Sequence, residues 1–136
     1  MPNHKRTLKP GKQRKLAFSA PSHIRHWLLA APLSSGLRER YGVRSFPVRK
    51  GDTVKILRGD FSGIEGKVSE TNTEQGRVFV EGVTREKVSG TSTKVSVHVS
   101  KVMITNLNLD DKWRAQSLER RKRTRETEVA AEKKED

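Results

Sequence analysis

Residues 51–68 read GDTVKILRGDFSGIEGKV, with glycines at 51, 59, 63 and 66 punctuating alternating apolar residues in an otherwise strongly basic chain. Val54 and Ile56 fall on one face of an extended segment, Lys55 and Leu57 on the other. Gly59, Gly63 and Gly66 permit backbone conformations that a side chain would block. The pattern predicts a strand, a protruding turn and a second strand. Taken alone, Arg58, Gly59 and Asp60 read equally well as a plain hairpin turn. A nucleotide phosphate loop does not fit: Gly63-x-x-Gly66-Lys67 has the wrong spacing, and Lys67 is followed by Val68 rather than by a hydroxyl residue opening a helix.

The period of two continues outward from this stretch. From Phe46 onward it runs through Val54 and Ile56, Val68 after Ile64, Val78 and Val80, then Val95, Val97 and Val99, and finally Val102 and Ile104. Five short strands rich in β-branched residues, separated by glycine turns, make a small barrel. Gln75-Gly76 signals a hairpin between Glu70 and Val78. The stretch from Glu81 to Thr93, with Arg85, Glu86, Lys87 and Gly90, reads as the largest loop inserted in that barrel.

Upstream, Ser22 after Pro21 is expected to cap a short helix over His23 to Ala30, ended near Pro32. Ser34 or Ser35 is expected to cap a second through Leu37 and Tyr41, with Gly42 as its stop. Downstream of Leu107 the pattern turns helical, with Asp110 as the expected cap and Trp113, Leu118 and the basic run Arg120, Arg121, Lys122, Arg123 and Arg125 behind it. The acidic, mixed end from Glu126 to Asp136 is expected to fray. The expected organisation is an extended arm over 1–20, two short helices over 21–45, a barrel over 46–107 carrying the glycine motif at 48–75, and a charged helical tail over 108–136.

With 136 residues, a hydrophobic fraction of 32% and seven aromatics, the chain has too little apolar surface to pack a core along its whole length. It contains no cysteine, so disulfides, thiolate metal sites and cysteine nucleophiles are excluded. The beginning, MPNHKRTLKPGK, has no apolar signal core, and no span is long enough to cross a bilayer. A soluble cytoplasmic protein is expected. The net charge of +13 is unevenly spread. Residues 1–50 hold twelve Lys/Arg against the single acid Glu39, while 51–107 hold eight against seven and 108–136 nine against eight. So one-sided an arm gains free energy by displacing counterions from a polyanion. Nucleic acid is the expected partner. A membrane is not, because the one apolar cluster, Ile24 to Ala31, is too short and too uniformly apolar for a basic amphipathic surface helix.

No constellation for catalysis is present. His4, His23, His26 and His98 are scattered; His23 and His26, one helical turn apart, suit a phosphate better than a metal, since no third ligand stands near them in sequence. Asp52 and Asp60 sit at turns, where aspartate accepts hydrogen bonds from backbone N–H groups. Neither a cofactor nor a small-molecule substrate is expected. The candidate RNA-binding groups are the cations and the backbone of the glycine turn. On the arm these are Lys5, Arg6, Lys9, Lys12, Arg14 and Lys15. Over the short helices they are Ser22, His23, Arg25, His26, Arg38 and Arg40, followed by Arg44, Arg49 and Lys50. On the barrel they are Lys55, Arg58, Gly59, Gly63 and Lys67, then Arg85, Lys87, Lys94, His98 and Lys101. The few aromatics form no paired stacking platform on a sheet, which favours recognition of folded RNA by shape and backbone.

The segment Gly51-Asp52, Val54, Ile56, Gly59, Gly63, Gly66 and Val68 resembles a KOW motif, an element shared by several ribosomal proteins and NusG-type transcription factors. Its flanks are Ala20-Pro21-Ser22-His23-Ile24-Arg25, Pro32-Leu33-Ser34, Leu37-Arg38, Tyr41, Val43-Arg44-Ser45, Pro47-Val48-Arg49-Lys50, Arg85-Glu86-Lys87, Gly90-Thr91, Val97-His98 and Ser100-Lys101-Val102. With these, residues 18 to 114 resemble the archaeal and eukaryotic form of large-subunit ribosomal protein twenty-four. The resemblance implies a mostly β chain built on an SH3-like barrel. It also implies binding to large-subunit rRNA near its five-prime domain, neighbouring large-subunit proteins, an early role in subunit assembly, and a place close to the peptide exit tunnel. One departure stands in the turn Asp60-Phe61-Ser62-Gly63, which carries an acid where relatives often place a basic residue. A transcription factor of the NusG type would need an α/β domain ahead of the barrel, and the basic first 46 residues show no alternation of strands and helices to supply one.

Overall fold

A computed structural model describes residues 7–135, with side chains described through Thr124. In chain order its elements are α1 (Pro10–Phe18), α2 (Ser22–Leu28), β1 (Ala30–Pro32), α3 (Ser35–Tyr41), β2 (Ser45–Pro47), β3 (Thr53–Ile56), β4 (Glu65–Asn72), β5 (Arg77–Glu86), β6 (Ser92–His98), a single 3-10 turn (Val99–Lys101), β7 (Val102–Asn106) and α4 (Lys112–Glu135). Among the described residues no helix is long and apolar enough to cross a membrane.

The alternating residues become a five-stranded antiparallel sheet in the order β6-β5-β4-β3-β7. Its outer strands are consecutive in sequence and joined by only the three residues of the 3-10 turn. The four steps from His98 to Val102 reach at most about 14 Å, whereas the outer strands of a flat five-stranded sheet stand about 19 Å apart. The sheet must therefore curl until its edges nearly meet, which is the SH3-like barrel. Shifts of register between Val68 and Glu70 and between Phe79 and Thr84 supply the bends. Inside lie Val54, Ile56, Val68, Val78, Val80, Val97, Val102 and Ile104, all buried.

The free edge of β7 is covered from upstream. Leu33 bridges in parallel to Ile104, and the Ser34 N–H donates to the Ile104 carbonyl at 2.9 Å. This follows from a two-stranded sheet that the sequence pattern did not reveal, β1 against β2 with Ala31 opposite Phe46. It carries Leu29, Ala31, Leu33, Phe46 and Val48 into the core. Strands of three residues containing Pro32 and Pro47 leave no alternation to read.

Four further expectations need correction. The arm expected to be extended over residues 1–20 contains α1 instead. Pro10 sits at its start, and Lys, Arg, Gln, Leu and Ala are good helix formers that outweigh charge repulsion; residues 1–6 lie outside the described part. Ser22 does not cap the next helix but is its first residue, after Pro21. The loop expected over Glu81 to Thr93 is mostly the outer half of a long β5–β6 hairpin, with Thr84 opposite Lys94 and Glu86 opposite Ser92. Asp111, not Asp110, caps α4, its carboxylate accepting from the Trp113 N–H at 2.9 Å. By contrast α3 does follow Ser34 and ends at Gly42, whose φ of 64° is left-handed.

Two glycines of the opening stretch have different reasons to be glycine. Gly63 has φ 90° and open space around it, so only its backbone conformation requires it. Gly66 lies where β4 crosses β5, and a Cβ there would stand 2.7 Å from the Glu81 carbonyl oxygen and 2.8 Å from Val80 Cγ1. In the turn Asp60-Phe61-Ser62-Gly63, Phe61 packs against the core rather than standing free at the tip.

Candidate nucleic-acid interface

The cations of this chain divide by what surrounds them. On α1 no residue is buried and no acid is present. Lys12, Arg14 and Lys15, with Lys9 just ahead of the helix, therefore stand in solvent; Lys5 and Arg6 precede the described residues. Ser22 and His23 are exposed at the start of α2 and His26 is half-buried, its ring 4.8 Å from that of Trp27. Arg25 is turned to structural use, donating to the Phe18 carbonyl at 2.9 Å and approaching Glu74 at 3.5 Å, which ties the end of α1 to the β4–β5 turn. Arg38 likewise donates to the Leu33 carbonyl at 2.6 Å. Arg40 lies over the Tyr41 ring at 5.2 Å, and Arg44 and Lys50 are exposed.

On the barrel, Lys55 and Lys67 are exposed on the outer face, Lys55 in register with Glu65. That acid weakens the local potential, so this face is the less cationic one. Arg85, Lys87 and Lys94 are exposed along the protruding hairpin. Arg58, Gly59, His98 and Lys101 do come together. With Arg77 they surround a cleft of about 400 Å³ between the glycine turn and β6, over Phe61 and Val97. Gly59 with φ 103° shapes its rim, Asp60 adds one negative charge to it, and Gly63, at the far end of the turn, does not line it. His98 is oriented by Ser100, whose N–H donates to His98 Nδ1 at 3.2 Å, leaving Nε2 as the ring's donor. Arg77 was missed because it opens a strand among acids and polar residues; only its register, directly opposite His98, reveals it.

A second group was also missed. Arg114 is 4% exposed and Asp52 is 0% exposed. They meet in a two-pronged ion pair at 2.6 and 2.7 Å, while the same two terminal nitrogens also reach the carbonyls of Asn108 at 2.6 Å and Pro47 at 3.0 Å. Asp52 in turn accepts from the backbone N–H groups of Arg49 and Asn108. Asp52 does serve a turn, but its main partner is a helix 62 positions later. Arg114, Leu118 and Arg121 are spaced so that one stripe of α4 faces the barrel. Leu118 is buried, and Arg121 lies 4.5 Å over Trp27 and 5.2 Å over Phe46, with burial lowering its pKa below the usual guanidinium range. Outside that stripe, Arg49 pairs with Asp111 at 2.6 Å. This hydrogen bond first, and the one from Trp113 N–H second, hold the Asp111 pKa below the ordinary carboxylate value.

Exposed guanidinium and ammonium groups on a helix, a cleft rim and a hairpin are of the chemical type that pairs with phosphate, and among the described residues none is placed against a nucleophile or an acid pair. Residues 7–121 match the family that comprises the eukaryotic ribosomal proteins L26 and their archaeal L24 counterparts. The chain belongs to this ribosomal protein family. It is similar to the large ribosomal subunit protein uL24 of Saccharolobus solfataricus, with 51% identity over 117 residues that span 86% of this chain and 98% of the relative. The uL24 protein of Sulfolobus acidocaldarius is 48% identical over 118 residues, covering 87% of this chain and 88% of its own. That of Korarchaeum cryptofilum is 47% identical over 113 residues, covering 83% and 86%. The family is one of structural components and not of enzymes.

Proposed function

We propose that this protein is a structural constituent of the cytoplasmic large ribosomal subunit, where it binds large-subunit rRNA and neighbouring ribosomal proteins, assists early assembly, and lies near the peptide exit tunnel. Family membership and the uL24 relatives support the particle. The observation that carries RNA binding is α1, a helix that buries nothing, carries no acid and presents Lys12, Arg14 and Lys15 to solvent. Such a helix has no packing reason to exist on its own and is suited to lie along a phosphate backbone. The cleft with Arg58, Arg77, His98 and Lys101 offers a second row of contacts on the barrel.

The test has two parts. Purified protein titrated with a large-subunit rRNA transcript should bind with a log–log salt slope of about −0.7 to −0.9 per phosphate neutralised. Sedimentation of a cell lysate through a sucrose gradient should place the protein with the large subunit. Salt-insensitive binding, or a protein remaining at the top of the gradient, would refute the reading.

A further inference from the structure

The chain has two tryptophans, and both line one cleft of about 280 Å³. Trp27 comes from α2 and Trp113 from the first turn of α4, with Phe46 of β2 behind them and Arg49 and Arg120 beside them. Trp113 is 78% exposed and Trp27 42% exposed. Large aromatics left in solvent beside cations are the makings of a binding surface rather than of a core. The surface is also pre-positioned. Arg121 stacks over Trp27 at 4.5 Å, the Arg49–Asp111 pair holds the start of α4, and the buried Asp52–Arg114 pair fixes that helix to the barrel.

Flat rings next to guanidinium groups match one ligand chemistry, a nucleobase carrying its phosphate. The base stacks on an indole face and the phosphate takes the arginine fork. The cleft is slightly smaller than the usual range of small-molecule sites, about 300–1,000 Å³, so it has room for one nucleotide and not for a helix. A paired base hides its faces in the stack; only an unpaired one can offer them. We propose that this cleft receives a single unpaired nucleotide of the bound RNA, its base against Trp113 and its phosphate at Arg120. The proposal rests on the rRNA-binding reading above and adds base stacking to what sequence analysis assigned to shape and backbone alone.

Because both tryptophans lie in the cleft, intrinsic fluorescence of the full chain reports on it directly. Single-stranded octa-adenylate should quench the emission, and a duplex RNA of the same length should leave it nearly unchanged. Trp113→Ala should weaken binding of the large-subunit rRNA transcript about tenfold, while Trp113→Phe, which keeps a stacking ring, should stay within about threefold of the wild type. The high exposure of Trp113 means that neither variant endangers the fold. Unaltered fluorescence with octa-adenylate, together with wild-type affinity of Trp113→Ala for the transcript, would overturn the cleft proposal and leave the rRNA-binding reading standing. Equal quenching by duplex and single strand would overturn its restriction to unpaired nucleotides. A wild-type protein that fails to bind the transcript at all would remove the wider reading and this one with it.

Discussion

Arginine at the junction of α4 and the barrel and arginine on α1 are the same side chain put to opposite ends. Arg114 is sealed from water, with both terminal nitrogens in hydrogen bonds and the guanidinium 5.3 Å over Phe46. Arg14 and its neighbours on α1 touch no core at all. A buried guanidinium holds the molecule together because removing it strands a carboxylate in low dielectric. An exposed one adds little to folding and keeps its charge for a partner. The count of basic residues therefore overstates the RNA-facing charge, since Arg25, Arg38, Arg49 and Arg114 are engaged within the protein.

Breaking the junction should give the largest effect. Arg114→Met is expected to lower unfolding free energy by about 3–5 kcal/mol, read by chemical denaturation, and adding Asp52→Asn should restore part of the loss. A loss below about 1 kcal/mol would mean that the pair does not bind α4 to the barrel. The opposite pole is tested by deleting residues 1–19, which stops short of the buried Ala20. Affinity for rRNA should fall by about ten- to a hundredfold with a shallower salt slope, while the barrel's melting temperature stays close to that of the full chain. A collapse of the melting transition would show that α1 belongs to the folded core after all.

Smaller effects separate the two glycines. Gly66→Ala should cost about 2 kcal/mol, because its Cβ meets the Glu81 backbone, which cannot turn aside. Gly63→Val should cost about 1–2 kcal/mol from backbone strain alone, and Ser62→Ala less than about 1 kcal/mol, since it loses only an exposed bond to the Leu57 carbonyl. Equal tolerance of all three would contradict the turn's geometry. The smallest effect is at Asp111. Its pKa is depressed in the folded state, so its contribution is complete above the unfolded carboxylate value of about 3.9 and disappears as pH falls through the lower folded value. Asn caps helices as well as Asp does. Asp111→Asn should therefore melt slightly below wild type near neutral pH and coincide with it in strong acid.

What could be read from the sequence was whatever depends on neighbours. Val54, Ile56, Val78, Val80, Val102 and Ile104 alternate, and alternation is a local property of a half-buried strand. Gly42 ends α3 for an equally local reason. The junction was hidden because Asp52 and Arg114 are 62 positions apart, and nothing in a turn aspartate advertises a distant cation. The Trp27–Trp113 cleft was hidden likewise, with Trp27 inside the apolar cluster Ile24 to Ala31 and Trp113 in the helical tail, and nothing local to bring the two together. The α1 helix escaped for a different reason: Pro2, Pro10, Gly11 and the few apolar residues read as an extended arm, whereas Pro10 opens the helix and the residues after Gly11 favour it.

The distance between Asp52 and its partner also imposes an order on synthesis. When residues 46–107 have left the ribosome they contain every strand of the five-stranded sheet, yet the carboxylate at its junction with α4 still lacks Arg114. Until that residue emerges, Asp52 keeps its solvent and its charge costs the sheet nothing. Sealing the junction is therefore the step of folding that waits for the opening turn of the last helix.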